Sequence, residues 1–422
     1  MAFSVTFLVL FLIIIGLPLF AAIGFTAAMQ FIHSGIDPTV VIVELYRIAS
    51  APTLLAIPLF TLAGYVLAES NAPKRLLNLA DAVLGWLPGG VAIVALITCA
   101  LFTCFTGASG VTIIAIGGLI YPILNKQQYN EKFSYGLITC SGSLGLLFPP
   151  SLPLILFGVI ASISIDKLFL AGILPGLLII LLLSLYAVKQ DTNRTVRRSE
   201  FSGRKVLNTL RDAKWEIPIP IIVIGGIYGG FITAVEASSI TAFYVLIVEF
   251  FLNKDLKIRT DLYPVVRNTV QLVGGILIIL STSMGLTAFF IDAQIPQTVL
   301  IWIRSVITSK FTFLLLLNGF LLVTGALLDI FSAIIIVVPL IVPIAVSYGI
   351  DPVHLGIIFL TNLEIGYLTP PIGLNLFISS FRFKKSILYF YRVSLPFLAI
   401  LLIALLLITY IPQISLFLVG LF

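Results

Sequence analysis

The chain has 422 residues, of which 60% are hydrophobic and only 10% are charged, and its mean hydropathy is +1.18. Soluble proteins carry roughly 25% charged residues, so this composition excludes a soluble globular protein and indicates apolar helices over almost the whole length. The net charge of +6 does not indicate a nucleic-acid partner, because much of the basic charge lies in short loops, as the positive-inside rule produces.

The N-terminal segment, residues 5–29, is apolar, has no basic start and is long enough to span a membrane. It is predicted to be a retained first helix and not a cleaved signal peptide. The cysteines, Cys99, Cys104 and Cys140, have no paired spacing. We therefore expect neither a disulfide framework nor a metal site, and interpret them as small buried hydrophobes.

Residues 90–124 are apolar but interrupted at Gly107-Ala-Ser-Gly110, which predicts a re-entrant helical hairpin that returns to the side it entered from. An amphipathic helix is predicted before it, at 74–86. Residues 133–160 contain Pro149 and Pro150. Proline removes a backbone donor and clashes with the preceding turn, so this segment is predicted to be a broken helix. Such a break at membrane depth persists only where protein or a polar cavity covers it.

The longest polar stretch, residues 189–216, is rich in arginine and lysine. It is predicted to be a cytoplasmic connector between residues 1–188 and residues 217–422.

The second half has the same order of elements as the first. An amphipathic helix is predicted at 297–309 and a second re-entrant hairpin at 311–344, turning between Gly325 and Asp329. A second broken helix is predicted at 354–380, interrupted at Pro370 and Pro371.

Several glycines and prolines recur at an offset of 221 residues: Gly64 and Gly285, Pro122 and Pro343, Gly145 and Gly366, Pro149-Pro150 and Pro370-Pro371, Pro175 and Pro396. Basic loops of one half match non-basic loops of the other. Residues 125–132 carry two lysines, and their counterpart 346–352 carries none. By the positive-inside rule the halves are inverted across the membrane. The expected fold is an all-α polytopic membrane protein with an inverted repeat and about 11 spanning segments. Its N-terminus is expected in the cytoplasm and its C-terminus on the far side.

A cation inside a membrane protein needs oxygen ligands, which unwound helices supply through backbone carbonyls. Small-residue runs often only permit close helix packing. The intramembrane carboxylates of Asp329 and Glu364 are more often functional, although either could lie at an interface or pair with nearby backbone. Glu236 is expected to be structural, and His33 and His354 are expected in loops without metal-ligand spacing. The candidate residues for a substrate and transport site are Ser109, Thr112, Ser141, Ser143, Pro150, Asn362, Glu364 and Pro371.

The sequence contains no His-Glu-x-x-His pair, no Gly-x-Ser-x-Gly motif and no Walker phosphate loop. We therefore expect neither an enzyme nor an ATPase, and any transport must be driven by an ion gradient or by a partner.

An ordered set of motifs resembles the large membrane subunit of TRAP (tripartite ATP-independent periplasmic) transporters, the DctM-like family, over essentially the whole chain. These motifs are Ile57–Gly64, Gly107–Gly110, Gly145–Ser151, Leu170–Gly176, Gly325–Pro343 and Gly366–Gly373.

The resemblance implies sodium-driven import of an organic acid across the inner membrane of a bacterium or archaeon by an elevator movement. C4-dicarboxylates, sialic acid and other sugar or keto acids are the substrate classes it implies. It implies two partners, a small four-helix membrane subunit and a soluble periplasmic substrate-binding protein. The small subunit is expected to be a separate chain. Sodium is the expected coupling ion, and no covalent cofactor is expected.

The resemblance also implies sodium ligands at the hairpin tips and the proline breaks, mainly through backbone oxygens: Gly107, Ser109, Gly110, Pro149, Gly325, Asp329, Thr369 and Pro370. The second tip has Leu327-Leu328-Asp329 where the first has small residues, so the two sites are not expected to be equivalent.

Two alternatives remain open. A free-standing ion-coupled anion transporter or antiporter of related design would not need a binding protein. An intramembrane enzyme or a channel would show catalysis or passive flux without ion coupling.

Overall fold

The computed structural model describes residues 17–191 and 201–421 of the chain. These residues form helices joined by short turns, and this part of the chain contains no β-strand. A helix satisfies its backbone hydrogen bonds internally, which apolar surroundings require. The predicted all-α class is confirmed.

The first half contains, in chain order, α1 (Leu19–His33), α2 (Val40–Ala49), α3 (Ala56–Glu69), α4 (Ala72–Leu84), α5 (Gly90–Thr106), α6 (Ser109–Lys126), α7 (Glu131–Ser141), α8 (Leu152–Ala161) and α9 (Ile165–Asp191). The second half contains α10 (Gly203–Asp212), α11 (Pro218–Tyr228), α12 (Ala234–Leu252), α13 (Leu262–Asp292), α14 (Ile295–Val306), α15 (Lys310–Leu327), α16 (Ile330–Ser347), α17 (Pro352–Gly366), α18 (Leu374–Phe383) and α19 (Ile387–Tyr410). Short turns of 3₁₀ helix lie at Pro52–Leu55 and Leu144–Leu147, and a last helical turn lies at Gln413–Leu416.

Eight of the described helices are long and apolar enough to cross a membrane. The number is nine if α7 and α8, which are bent by 43° at their break, form one interrupted span. Four further apolar helices, α1, α5, α11 and α17, are shorter. The chain is therefore a multi-pass membrane protein, and the total of about 11 spans stays a prediction.

The 221-residue offset of the sequence also relates the helix bounds. Helix α16 begins and ends 221 residues after α6. Helices α15 and α18 match α5 and α8 at the same offset to within one residue. The amphipathic helices α4 and α14 precede the two hairpins, as predicted.

Close backbone packing repeats between the halves at one pair of glycines. A Cβ added to Gly145 would lie 2.3 Å from the Ala100 carbonyl oxygen of α5. A Cβ added to Gly366 would lie 2.5 Å from the carbonyl carbon of Gly325 in α15. Each glycine therefore lets its interrupted helix contact the first helix of the hairpin in its own half. Gly64 and Gly285 do not repeat in this way, because Gly64 meets Phe105 and Gly285 meets Val41.

The hairpins and the interrupted helices form one packed core, in which the halves exchange helices. Helix α6 of the first hairpin packs on α18, and α16 of the second hairpin packs on α8. Within each half, α5 packs on the turn Leu144–Leu147 and α15 packs on α17. Each hairpin thus contacts the interrupted helices of both halves.

Three predictions need correction or adjustment. His33 and His354 do not lie in loops: His33 ends α1 and His354 lies in the first turn of α17, only 3% exposed, with Nε2 near the Thr409 carbonyl oxygen. The error for His354 arose because Asp351 caps α17, which begins at Pro352, two residues before the predicted start of this segment at 354. The connector 189–216 is also partly helical, since α9 continues to Asp191 and α10 lies within it. Residues 192–200 and the start of the predicted first helix lie outside the described residues.

Candidate functional site

The first hairpin turns within two residues, between α5 and α6. Gly107 has φ +62, a left-handed conformation that glycine adopts without a Cβ clash, and Ala108 is extended. Gly107 and Ser109 are buried, and Gly110 faces Ile378 of α18. The Ser109 hydroxyl is buried and has no hydrogen-bond partner among the described residues. The Ser109 carbonyl oxygen lies next to Gly142, so this tip adjoins the break after α7.

Hydroxyl groups tie the first tip to the first break. Thr103 Oγ1 donates to the Gly142 carbonyl oxygen at 2.9 Å and lies 2.6 Å from Thr112 Oγ1. Because a hydroxyl carries one proton, Thr112 is the donor to Thr103. Thr112 was predicted as a site residue, whereas Thr103, which joins all three segments, was missed.

The first break is fully enclosed by protein. Ser141, Ser143, Pro149 and Pro150 are all buried. Ser141 Oγ donates to the Ile138 carbonyl oxygen, and the Ser151 hydroxyl donates to that of Leu146.

Asn375 of α18 enters the first break from the other half of the chain. Its amide donates to the Thr139 carbonyl oxygen at 3.2 Å and to Ser143 Oγ at 3.3 Å. Thr139 also donates to Ser379 Oγ of the same helix at 2.9 Å. No local sequence pattern indicates these contacts, because the partners lie more than 200 residues apart.

The second tip is built around a carboxylate. Asp329 Oδ1 accepts hydrogen bonds from the backbone N–H groups of Phe331 at 3.0 Å and Ser332 at 3.1 Å, which makes Asp329 the N-cap of α16. The Ser332 hydroxyl donates to Oδ2. Asp329 is exposed, in contrast to Ser109 at the first tip. Its negative charge also lies at the positive end of the α16 dipole.

The second break adjoins the second tip through two backbone contacts and one side-chain hydroxyl. Gly325 meets Gly366, the Gly373 N–H donates to the Ala326 carbonyl oxygen at 3.2 Å, and the Ile330 N–H donates to the Tyr367 hydroxyl at 2.7 Å. The break itself is open: Thr369 is partly buried, and Pro370 and Pro371 are exposed. Thr369 Oγ1 donates to the Ile365 carbonyl oxygen at 3.0 Å. Both Pro-Pro bonds, 149–150 and 370–371, are cis.

Asn362 and Glu364 lie apart from the breaks, inside α17. The Asn362 amide donates to Asn318 Oδ1 and to the Ile358 carbonyl oxygen, both at 2.8 Å, and Asn318 donates to Thr409 Oγ1. Asn362 thus joins α15, α17 and α19 in a buried polar network. Glu364 is 1% exposed, and neither of its oxygens has a hydrogen-bond partner in the described part of the chain.

A charged cluster that the sequence did not reveal holds the amphipathic helix α4. Arg75 donates through Nε to Glu216 Oε1 at 2.7 Å, through Nη1 to Asp255 Oδ2 at 2.6 Å and through Nη2 to Glu249 at 3.1 Å. Burial would raise the pKa of Asp255, but hydrogen bonds from Asn71 and Arg75 outweigh burial and hold that pKa below its usual value. The partners lie 141–180 residues from Arg75 in the sequence.

Glu236, expected to be structural, forms a capping box with Thr233 at the start of α12. Across residues 17–191 and 201–421, no three histidine, cysteine, aspartate or glutamate side chains gather in a group that could hold a metal ion.

Long apolar helices surround a core of two helical hairpins, each with its tip against an interrupted helix. This arrangement defines an integral membrane transport protein, because broken helices at membrane depth are the usual site of substrate and ion binding in such proteins.

The chain belongs to the family of the DctM component of tripartite ATP-independent periplasmic transporters, whose family model matches residues 5–414. It is thus a TRAP transporter large permease and not an enzyme, as the sequence predicted.

Two relatives illustrate the match. The chain is 35% identical to the isethionate TRAP transporter permease protein DctMQ of Oleidesulfovibrio alaskensis, over 97% of this chain and 65% of that protein. It is 32% identical to the C4-dicarboxylate TRAP transporter large permease protein DctM of Vibrio cholerae, over 97% and 95% of the two chains. The chain therefore spans less than two thirds of DctMQ but nearly all of DctM.

A third relative is the ectoine TRAP transporter large permease protein TeaC of Halomonas elongata, with 29% identity over 96% of each chain. Among solved structures, the YdaH transporter of Alcanivorax borkumensis superposes with a TM-score of 0.63 at 14% identity, covering 88% of this chain and 86% of that one. That likeness concerns the fold alone.

Proposed function

We propose that this chain is the membrane permease of a sodium-coupled importer of an organic acid, fed by a periplasmic substrate-binding protein. The observation that carries the proposal is the pairing of each hairpin tip with a proline break in its own half. Each pair brings freed backbone carbonyls and hydroxyl groups together in a largely apolar protein, which is the ligand chemistry that sodium needs.

In this proposal the first sodium lies among Gly107, Ser109, Gly110 and Pro149, where Ser109 contributes a buried hydroxyl that has no partner among the described residues. The second sodium lies among Gly325, Asp329, Thr369 and Pro370. The carboxylate at this site is that of Asp329, which also caps α16. The organic acid lies between the two sodium ions, near the hydroxyl groups of Thr112 and Ser143 and near Pro371. Asn362 and Glu364 lie deeper and act through the packing of α17.

We propose further that the two halves are inverted across the membrane and that the hairpins and interrupted helices move together as an elevator. The exchange of α8 and α18 between the halves supports a single moving unit. The amphipathic helices α4 and α14 connect it to the long helices α3 and α13. The Arg75 cluster fixes α4 to α12, which gives the moving unit a stationary support.

The names of the relatives, which include isethionate, C4-dicarboxylates and ectoine, support a small organic acid as the proposed substrate class. We favour a small carboxylate or sulfonate, and among the predicted substrates a C4-dicarboxylate before sialic acid. The proposed partners are a small membrane subunit and a periplasmic binding protein. The proposed location is the inner membrane, with the N-terminus in the cytoplasm and the C-terminus in the periplasm.

The test is uptake into proteoliposomes that contain the chain with its small subunit, under an imposed inward sodium gradient. Accumulation should require both the gradient and the loaded binding protein. If the chain alone accumulates free substrate under the gradient, it is a free-standing transporter. Substrate equilibration without any gradient would instead indicate a channel.

A further inference from the structure

Glu364 is a buried acid that forms no ion pair with any described residue. It lies in the last turns of α17, is 1% exposed, and both carboxylate oxygens lack a hydrogen-bond partner among the described residues. Asn362, two residues away, has its amide bound to Asn318, so it does not serve Glu364.

A second buried glutamate shows what Glu364 lacks. Glu249 of α12 is 0% exposed, but Arg75 Nη2 lies 3.1 Å from both of its oxygens. An ionised carboxylate buried with a cation and hydrogen bonds can be retained, whereas an isolated one costs far more free energy than folding supplies and becomes neutral instead.

Within residues 17–191 and 201–421, no basic side chain pairs with Glu364. Its titratable neighbours are the thiols of Cys140 in α7 and, behind it, Cys99 in α5. Of the elements packed against α17, α8, α16 and the turn Leu144–Leu147 carry no titratable side chain. The charged and titratable side chains of the other packed helices lie towards their ends: Lys310 of α15, Asp166, Lys167, Tyr186, Lys189 and Asp191 of α9, and Tyr389, Tyr391, Arg392 and Tyr410 of α19.

The other titratable groups near α17 are already engaged. Asp351 caps the helix, His354 contacts the Thr409 carbonyl oxygen, and the Tyr367 hydroxyl accepts from Ile330 N–H. Thiols are weak acceptors and poor sodium ligands. A proton is therefore the cation that best neutralises Glu364 in this packing.

We propose that Glu364 is a proton-binding site in the core formed by the hairpins and interrupted helices. The carboxylate takes one proton from water when the packed core encloses this part of α17 and releases it when the core opens. The site is additional to the sodium sites, and its occupancy does not depend on substrate or on partner subunits. Its test is therefore independent of the proposed import function.

Proton binding makes folding depend on pH with a predictable sign. An unfolded glutamate loses its proton above about pH 4.3, whereas the folded protein keeps it. The folded state then binds one more proton than the unfolded state, so stability falls as the pH rises through this range. One proton corresponds to a tenfold change in the unfolding equilibrium per pH unit.

The experiment compares the full chain in detergent micelles or nanodiscs with two variants, Glu364→Gln and the matched control Glu249→Gln. The wild-type Tm should fall between mildly acidic and neutral pH more steeply than that of Glu364→Gln. The part of the pH-dependent fall in Tm that Glu364→Gln removes should remain in Glu249→Gln. Parallel pH profiles for wild type and Glu364→Gln would overturn the proposal.

Infrared spectroscopy supplies a measurement that does not require the glutamine variant to fold. At neutral pH the wild-type protein should show the carbonyl stretch of a protonated carboxylic acid, and adding sodium should not change it. The frequency of this band should shift in Glu364→Asp and remain unchanged in Glu249→Gln. Absence of that band, or its loss when sodium is added, would show that Glu364 is ionised or binds the metal instead.

Discussion

The two hairpin tips occupy matching places in the two halves, yet they are built and covered differently. The first turns at Gly107 in a left-handed conformation, and its tip and break are buried. The second is capped by Asp329, and its break at Pro370 and Pro371 is exposed. The two halves thus end their helices at equivalent positions, but different residues form the turn and cap the following helix. If each pair holds a sodium ion, the first site is closed in this structure while the second is open.

The largest expected difference between the halves concerns the amphipathic helices before each hairpin. Arg75 of α4 pairs with Glu216 and Glu249, which are nearly fully buried. Arg304 of α14 instead donates to the Ser347 carbonyl oxygen and lies 5.6 Å from the Tyr348 ring centre. Arg75→Ala should cost about 3–5 kcal/mol, because it leaves buried carboxylates without a cation.

Arg304→Ala is the matched control and should cost far less, since a neutral carbonyl oxygen remains. Thermal unfolding of both variants in detergent measures the difference. Equal losses would mean that the two amphipathic helices are held with equal strength.

A second comparison should show equality between the halves. Gly145→Ala and Gly366→Ala each place a methyl group within 2.5 Å of backbone atoms, so each should cost about 1–3 kcal/mol through overpacking. Gly319→Ala is the control, because a Cβ at this position of α15 meets nothing within 4 Å. That change should be neutral or stabilise the helix by up to about 1 kcal/mol. If only one of the substitutions at positions 145 and 366 lowers the stability, the two contacts are not structurally equivalent.

Replacing Asp329 should separate its two proposed roles at the second tip. Asp329→Ala removes the N-cap of α16, at about 1 kcal/mol, and should raise the sodium requirement or abolish uptake while the protein still inserts. Asp329→Asn keeps a capping oxygen, so its stability should be close to that of the wild type. Its uptake should still be impaired in the same way as that of Asp329→Ala, because the charge is lost. Ser109→Ala at the first tip should change stability less, because its hydroxyl has no hydrogen-bond partner in the described part of the chain. Unchanged sodium dependence in both Asp329 variants would remove this residue from the ion site.

The last comparison concerns the solvent exposure of the two breaks, where we expect little change in stability but a clear difference in cysteine reactivity. Ser151 and Ile372 are related by the 221-residue offset, but Ser151 is 0% exposed and Ile372 is 45% exposed. In a background without the natural cysteines, Ile372→Cys should react with a small maleimide much faster than Ser151→Cys. Equal rates would contradict the closed first break and the open second break.

The sequence was sufficient for features that depend on local chemistry. Proline pairs marked where helices stop, Gly107 and its neighbours marked a tip, and the common offset predicted the matching bounds of α6 and α16. Each of these follows from backbone constraints that a few residues impose.

Features that depend on distant partners could not be predicted. The Arg75 cluster joins residues up to 180 positions apart, and Asn375 reaches a break 232 positions away. Thr103 and Tyr367 lie in apolar helical runs where nothing distinguishes them as contacts of a tip. The burial of one break and the exposure of the other also depend on how the whole chain packs, so no local pattern reveals it.

We propose that the two halves present their hairpin tips to opposite sides of the membrane. The most direct measurement is sided labelling of single cysteines at Ser109 and Ala326, with impermeant reagents applied from each side in the presence and absence of substrate. Both residues are buried in this structure, at 3% exposure, so labelling requires movement. We expect substrate-dependent labelling of the two positions from opposite sides. Labelling of both from the same side would contradict it.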